Sequence, residues 1–119
     1  LHPDKGFQKK SEETLDNTIK LASALGVKTV IDFSGCPGSD EKATRPSWVT
    51  CPWPPDFLDT LNWQWDKKVI PFWSKKAKFA ADNGVRIAFE AHPGFVVYNT
   101  ETLLRIRKEC GKNLGANFD

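Results

Sequence analysis

The spacing of apolar residues along the chain predicts helices and strands in turn, beginning with a helix. Between Ser11 and Leu25 the apolar positions recur at steps of four and three, which predicts a helix with one buried face: Leu15, Ile19, Ala22 and Leu25. Ser11 fits an N-cap and Gly26 fits the residue just past the helix end. Val27–Phe33 is almost continuously apolar and rich in β-branched residues, as strands buried on both faces are.

The middle of the chain combines an irregular segment with a long helical one. Residues 34–55 hold many prolines and glycines among polar residues, so the pattern predicts a loop, and loops of this length are usually functional. Helical spacing resumes near Asp56 and ends at Gly84. Pro71 falls inside it and lacks a backbone donor, which predicts a kink or two abutting helices.

The last third repeats the order of strand, loop, helix and strand. Val85–Glu90 predicts a short buried strand, residues 91–99 a loop, Thr100–Cys110 a helix capped by Thr100, and Leu114–Asp119 a third strand. Alternation of this kind indicates parallel strands whose connections are covered by helices. The predicted fold class is therefore α/β, with three strands in one parallel sheet.

All three predicted strands end in an aromatic residue followed by a polar one. The pairs are Phe33-Ser34, Phe89-Glu90 and Phe118-Asp119. In this pattern each aromatic can pack inside the layer while the next residue opens onto the carboxyl rim, where ligands bind in barrels and open α/β sheets. We therefore expect three polar groups to converge at one rim.

Glu90 and Asp119 are the strongest chemical feature of that rim. A carboxylate at the end of a buried strand loses hydration, which costs several kcal/mol unless a cation or hydrogen-bond donors compensate. Two carboxylates on adjacent strands suit an oxygen-ligated Mg²⁺ or Mn²⁺, or Zn²⁺ where a histidine joins them. The alternative is that either acid caps the following helix or pairs with an arginine.

Composition and charge narrow the classes of partner. The chain has 119 residues, 39% of them hydrophobic and 27% charged, which is typical of a soluble globular domain. Its net charge of +2 does not indicate the basic surface that nucleic-acid binding requires. No apolar stretch is long enough to cross a membrane. Three cysteines without ligand spacing favour free thiols and hence a cytoplasmic location. The chain contains no Met and begins at Leu1, so we expect a piece of a longer protein.

Two motifs carry a resemblance to a known family. Residues 84–94 (GVRIAFEAHPG) and 115–119 (GANFD) look like two neighbouring strands of sugar phosphate isomerases and epimerases, which belong to the xylose isomerase-like TIM-barrel family. Residues 25–35 (LGVKTVIDFSG) are similar to the preceding strand of those barrels. The resemblance implies that residues 1–119 form a single partial domain, the middle portion of a (β/α)₈ barrel.

What the resemblance implies for chemistry is metal-assisted proton transfer on a sugar or sugar phosphate. The glutamate that matches Glu90 ligates a divalent metal ion (Mn²⁺, Mg²⁺, Co²⁺ or Zn²⁺) and acts in proton transfer, and the aspartate that matches Asp119 is a second ligand. The family's remaining ligands, a histidine and a glutamate, come from later strands. The implied reaction is isomerisation or epimerisation through an enediolate, with this chain alone expected to be inactive.

Further residues are candidates for contact with a substrate. His92 could reach a sugar hydroxyl, and a purely structural role for this histidine is about equally expected. Trp48 and Trp53 could wall a sugar pocket, with anchoring of the loop as the alternative. Cys36 is interpreted as lining the pocket, because no histidine or basic residue adjoins it to make it a nucleophile.

Two other functional classes remain open. One is a non-catalytic α/β scaffold or binding module whose strand-end acids are only caps. The other is an endonuclease for abasic DNA, which shares the barrel but needs several metal ions and a basic groove. The stripe of Phe57, Leu61 and Trp65 predicts a helix packed on the barrel, with a homo-oligomer interface as the alternative.

Overall fold

The chain forms three parallel strands with helices against one face. The computed structural model describes every residue from Leu1 to Asp119. The strands are β1 (Thr29–Asp32), β2 (Arg86–Glu90) and β3 (Leu114–Asn117). They lie in the order β1-β2-β3, and both neighbouring pairs are parallel. The predicted fold class, an α/β arrangement of three strands alternating with helices, is confirmed.

Helices precede or connect the strands as the pattern predicts. They are α1 (Lys5–Ala24), α2 (Pro55–Gln64), α3 (Ile70–Asp82) and α4 (Thr100–Cys110), with one π-helical segment (Trp65–Val69) joining α2 to α3. None of these helices combines the length and the apolar character that a membrane crossing requires.

Helix α1 begins seven residues earlier than its apolar spacing predicts. Asp4 is the N-cap, and its Oδ1 accepts a 2.8 Å hydrogen bond from the backbone N–H of Phe7. The prediction that Ser11 caps the helix is wrong, because the first turns are polar and carry no apolar periodicity to reveal them. The predicted buried face is confirmed at Leu15, Ile19 and Ala22, but Leu25 caps the helix end and is 69% exposed.

The interruption predicted at Pro71 takes the form of a π-helical segment. Pro71 has no backbone N–H to donate and its ring crowds the preceding turn. The helical turn just before Pro71 is wider than an α-helical turn. In it, the N–H of Ile70 donates to the carbonyl of Trp65, five residues back. The helical path from α2 into α3 is therefore continuous but locally underwound.

Several predicted element ends are wrong by one or two residues. Strand β1, predicted as Val27–Phe33, runs from Thr29 to Asp32, and β2 begins at Arg86 and not at Val85. The cap of α4 is Asn99 and not Thr100: its Oδ1 accepts from the N–H of Thr102 at 2.9 Å. Strand β3 ends at Asn117, so Asp119 lies two residues beyond it.

The hydrophobic core fills the space between the sheet and its helices. Sixteen buried residues form one cluster, drawn from α1, the π-helical segment, α3, α4, all three strands, the α3–β2 connection and the β2–α4 loop. Trp73 of α3 meets Phe89 of β2 edge to face, with ring centroids 4.6 Å apart. This packing fixes which side of each strand faces the helices.

Candidate functional site

The register of the sheet decides which strand-end residues lie side by side. Asp32 pairs with Phe89, and Glu90 pairs with Asn117. Side chains alternate between the two faces of a strand, and Ile87 and Phe89 are fully buried against the helices. Glu90 therefore points to the opposite face, which is the interior side in a closed barrel.

The register of β1 and β2, continued one residue past Asp32, places Phe33 opposite Glu90. Asp32 ends β1 and pairs with Phe89. The residues that follow these two partners are Phe33 and Glu90. The ring of Phe33 is 42% exposed, in contrast to Phe89. The prediction that all three strand-end aromatics pack inside the layer holds for Phe89 alone, since Phe118 is 95% exposed.

Ser34 does not open onto the rim as expected. It is fully buried, and its Oγ accepts a 2.8 Å hydrogen bond from the N–H of Val97. Its carbonyl accepts a 3.0 Å bond from Nε1 of Trp73. The reason is a one-residue offset between β1 and β2, which puts Phe33 where β2 has its glutamate. Ser34 therefore joins two loops and leaves the carboxylates as the only predicted rim groups.

Glu90 and Asp119 differ in position along the sheet. Glu90 is partly buried at the end of β2, and none of the ion pairs in the structure involves it. Asp119 is exposed and lies two residues past Asn117, the partner of Glu90. No group of three or more histidine, cysteine, aspartate or glutamate side chains has the geometry of a metal site. No third histidine, cysteine, aspartate or glutamate therefore joins Glu90 and Asp119 within this chain.

His92 is held in a tight turn directly after β2. The N–H of Phe95 donates to the carbonyl of His92 at 3.3 Å, and Gly94 has φ of 89°, which is the form of a Pro-Gly type II turn. Nδ1 of His92 lies 2.7 Å from the carbonyl oxygen of Pro93. Because a carbonyl only accepts, Nδ1 carries the hydrogen and a neutral ring presents Nε2 as an acceptor.

Three aromatic rings that follow the ends of β1 and β2 form a surface, here named the aromatic shelf: Phe33, His92 and Phe95. Phe33 and Phe95 are stacked, with centroids 4.8 Å apart and an interplanar angle of 14°. His92 meets both rings edge to face, at 5.6 Å from Phe33 and 5.7 Å from Phe95. The sequence pattern missed Phe33 and Phe95 as site residues. The position of Phe33 depends on the register between β1 and β2, and Phe95 reaches the shelf only through the turn after β2.

The two loop tryptophans have different environments. Trp48 Nε1 donates to the carbonyl of Phe95 at 2.9 Å, and its ring meets Tyr98 edge to face at 5.4 Å. Trp48 thus anchors the long loop to the β2–α4 loop. Trp53 is 72% exposed and lines neither of the two cavities next to Cys36.

Cys36 is a buried, protonated thiol. Burial raises its pKa to about 11, and the side chain lies 3.6 Å from the carbonyl of Pro37. It borders two cavities of about 390 and 280 Å³. At neutral pH the thiolate is therefore scarce, so a pocket-lining position describes this residue better than a nucleophile does.

Asp32 is a strand-end acid that the sequence pattern did not single out. It lies on the helix side of β1, and burial raises its pKa above the ordinary range. Its Oδ1 accepts from the N–H of Phe33 at 2.8 Å. Because Asp32 and Glu90 end neighbouring strands on opposite faces, only Glu90 is available to a ligand on the inner face.

Comparison with known proteins gives a family match over the whole chain. The sequence profile of the family described as xylose isomerase-like TIM barrel matches residues 1–119. A relative from Bacillus subtilis (strain 168), "Uncharacterized protein YfiH", is 44% identical over 116 residues. That match takes in 93% of this chain and 36% of the relative's length, so the chain spans little more than a third of the protein that it resembles.

Proposed function

Because the chain belongs to the xylose isomerase-like TIM barrel family, we propose that it is part of a metal-dependent sugar or sugar-phosphate isomerase or epimerase. Glu90 is the proton-transferring residue and a metal ligand, and Asp119 is the second ligand. The ligands and loops outside these residues complete the site, so the activity belongs to the whole protein.

The position of Glu90 carries this proposal. A carboxylate at the carboxyl end of a central parallel strand, on the face away from the helices and without an ion pair, is available to a cation and a substrate. An acid that merely capped a helix would be bonded to that helix. Helix α4 is instead capped by Asn99, nine residues later.

The donor set fits a hard divalent ion. Glu90 and Asp119 supply carboxylate oxygens, which suit Mg²⁺ or Mn²⁺, and also Co²⁺ or Zn²⁺ where a histidine is added. Bound there, such an ion would stabilise the negative charge that develops on the substrate.

The remaining chemistry is assigned to side chains of this chain. Glu90 takes the proton from the carbon next to the substrate carbonyl and returns it to a neighbouring position in the same chain of carbons. His92 accepts a hydrogen bond from a sugar hydroxyl at Nε2, since its Nδ1 is committed to Pro93. Cys36 remains a proposed lining residue of the substrate pocket, and Trp53 is proposed to contact the substrate from the loop surface, because it lines neither cavity next to Cys36.

Charge supports a small sugar rather than a nucleic acid as the substrate. The formal net charge is +2, with 17 basic and 15 acidic residues, which provides no concentrated basic groove. A cytoplasmic location is part of the proposal, because all three cysteines are free thiols.

The test is a calorimetric titration of the whole protein with Mn²⁺. We expect one-to-one binding that is lost in Glu90→Gln and in Asp119→Asn. Asp32→Asn is the matched control: it removes the charge of a strand-end acid on the helix side, and its amide oxygen still accepts from Phe33. Binding in the control should equal that of the wild type.

Proton transfer is then measured by incorporation of solvent deuterium into D-fructose and D-fructose 6-phosphate. Loss of the base should slow the exchange by about 10²- to 10⁴-fold in Glu90→Gln. If the whole protein binds no divalent ion, or if Glu90→Gln binds it normally, the strand-end acids are structural and the scaffold alternative stands.

A further inference from the structure

We propose that Gln64 of helix α2 is a positioning residue, which acts through the long loop between β1 and α2 to hold the turn that carries His92. The inference rests on the proposed function, because there His92 is the group that binds a sugar hydroxyl. It goes beyond that function because Gln64 has no assigned contact with the metal ion or the sugar.

Gln64 is the one buried residue of α2, and it is polar. The residue is 2% exposed, whereas Phe57 of the same helix is 49% exposed. Burial of an amide costs free energy unless its polar atoms are hydrogen bonded. A buried amide in an otherwise exposed helix therefore indicates specific hydrogen bonds and not general apolar packing.

The donors of Gln64 hold both ends of one segment of the long loop. Its Nε2 donates to the carbonyl of Ser47 at 2.7 Å and to the carbonyl of Gly38 at 2.9 Å. A side-chain amide has two N–H groups, so both are used. The N–H of Ser47 donates in turn to the carbonyl of Pro37 at 2.8 Å. Gln64 thus joins the two ends of this segment to each other and to α2.

The same path continues into the turn after β2. Trp48 follows Ser47 in the chain, and its Nε1 donates to the carbonyl of Phe95 at 2.9 Å. The N–H of Phe95 donates to the carbonyl of His92 at 3.3 Å. Gln64 is therefore connected to His92 by successive hydrogen bonds, and none of them involves a strand residue.

Loss of Gln64 should weaken substrate binding more than proton transfer. The sheet sets the position of Glu90, which pairs with Asn117, whereas His92 lies in an exposed turn beyond the strand. Without the clamp, Glu90 stays in register while His92 becomes less well placed. A hydrogen bond contributes about two- to tenfold to binding, so KM should rise by about that factor while kcat changes less than about twofold.

The first test is hydrogen–deuterium exchange of the backbone amides in the whole protein, measured by mass spectrometry on peptides that cover residues 91–99. Gln64→Leu removes the two donors, and should speed exchange there about two- to tenfold. Trp48→Phe keeps an aromatic ring but loses the Nε1 donor, and should have the same effect without altering a buried polar residue. Asn113→Ala, the matched control, removes a 2.8 Å bond from a side-chain amide to the carbonyl of Ala77 and should not change this exchange.

The second test measures KM and kcat for deuterium incorporation into D-fructose and D-fructose 6-phosphate. Gln64→Leu and Trp48→Phe should each raise KM, and the double variant should raise it no further, because both substitutions break one path. Asn113→Ala should leave KM unchanged.

Unchanged amide exchange at residues 91–99 in Gln64→Leu and Trp48→Phe would overturn the positioning role, as would an equal effect in Asn113→Ala. A fall in kcat at constant KM would overturn it as well. If the whole protein incorporates deuterium into neither sugar, the proposed function fails, and amide exchange alone decides whether Gln64 holds the turn.

Discussion

The three cysteines differ in environment and therefore in reactivity. Cys36 is buried, Cys110 is partly buried and Cys51 is exposed on the long loop. Burial raises the pKa of Cys36 to about 11 and also raises that of Cys110. A thiol reacts as its thiolate, so both burial and protonation protect Cys36.

We predict that iodoacetamide at pH 8 alkylates Cys51 well before Cys36. Peptide mass spectrometry of a time course measures the order, and Cys51→Ser should remove the fast phase without speeding Cys36. The rate of alkylation of Cys36 should become appreciable only as the pH approaches 11. Alkylation of Cys36 at the rate of Cys51 would mean that this loop opens readily in solution.

At the scale of elements, helix α4 depends on a reciprocal cap. Asn99 Oδ1 accepts from the N–H of Thr102 at 2.9 Å, and Thr102 Oγ1 accepts from the N–H of Asn99 at 3.3 Å. These bonds satisfy donors that the first turn of a helix otherwise leaves free. They also fix the start of α4 relative to the loop that carries His92.

We expect Asn99→Ala to lower the free energy of unfolding by about 1 kcal/mol. Thr100→Ala is the matched control, because Thr100 makes no capping bond and its substitution should change stability by less than about 0.5 kcal/mol. Urea denaturation of both variants measures the difference. An equal loss in the two would contradict the assignment of Asn99 as the cap.

A buried lysine joins helices α1 and α3. Lys76 is 2% exposed at its side chain, with Nζ 2.6 Å from Asp16 Oδ1 and 2.8 Å from Glu12 Oε1. The hydrogen bond from Lys76 is the largest cause of the lowered pKa of Glu12. A carboxylate whose pKa is lowered in the folded state stabilises the fold above its ordinary pKa and loses that contribution as the pH falls.

Glu12→Gln should therefore destabilise the protein by about 1 kcal/mol at pH 7. The difference from the wild type should shrink as the pH falls below 4.5, the ordinary pKa of the group, and through its lower folded pKa. Urea denaturation at pH 7 and pH 3 measures this change. Glu13→Gln, which alters an exposed acid 4.0 Å from Lys9, is the control and should have little effect at either pH. A pH-independent loss in Glu12→Gln would point to packing instead of charge.

For the molecule as a whole, one face of the sheet is covered and the other is open. Strands β1 and β3 are the two edges of the sheet, and Ile31 on the inner face is 61% exposed. Open strand edges and exposed apolar side chains favour association with other chains.

We predict that residues 1–119, produced alone, associate in solution. Light scattering after size-exclusion chromatography measures the mass. Ile31→Lys puts a charge on the open face and should shift the species toward monomer, while Thr18→Lys on the exposed side of α1 should not. A wild-type monomer that unfolds cooperatively would contradict the prediction.

The order of the elements and the parallel sheet were determined by sequence alone. Apolar spacing identified most of the buried face of α1 and both later strands, and Pro71 identified the irregular helical segment before it. The strand-end position of Glu90 was also predicted, because a buried strand followed by a Pro-Gly turn can end in few places. Such features depend on neighbours within a few residues, whose preferences are local.

Tertiary structure alone decided which strand-end side chains share a face. Strands β1 and β2 are more than 50 residues apart in the chain, and their register is set where Val30 and Ile87 pack together against the helices. Because side chains alternate with a period of two, an offset of one residue exchanges the faces. That offset exposes Phe33 beside Glu90, buries Ser34 and turns Asp32 to the helices, although the sequence around Phe33 and Phe89 looks alike.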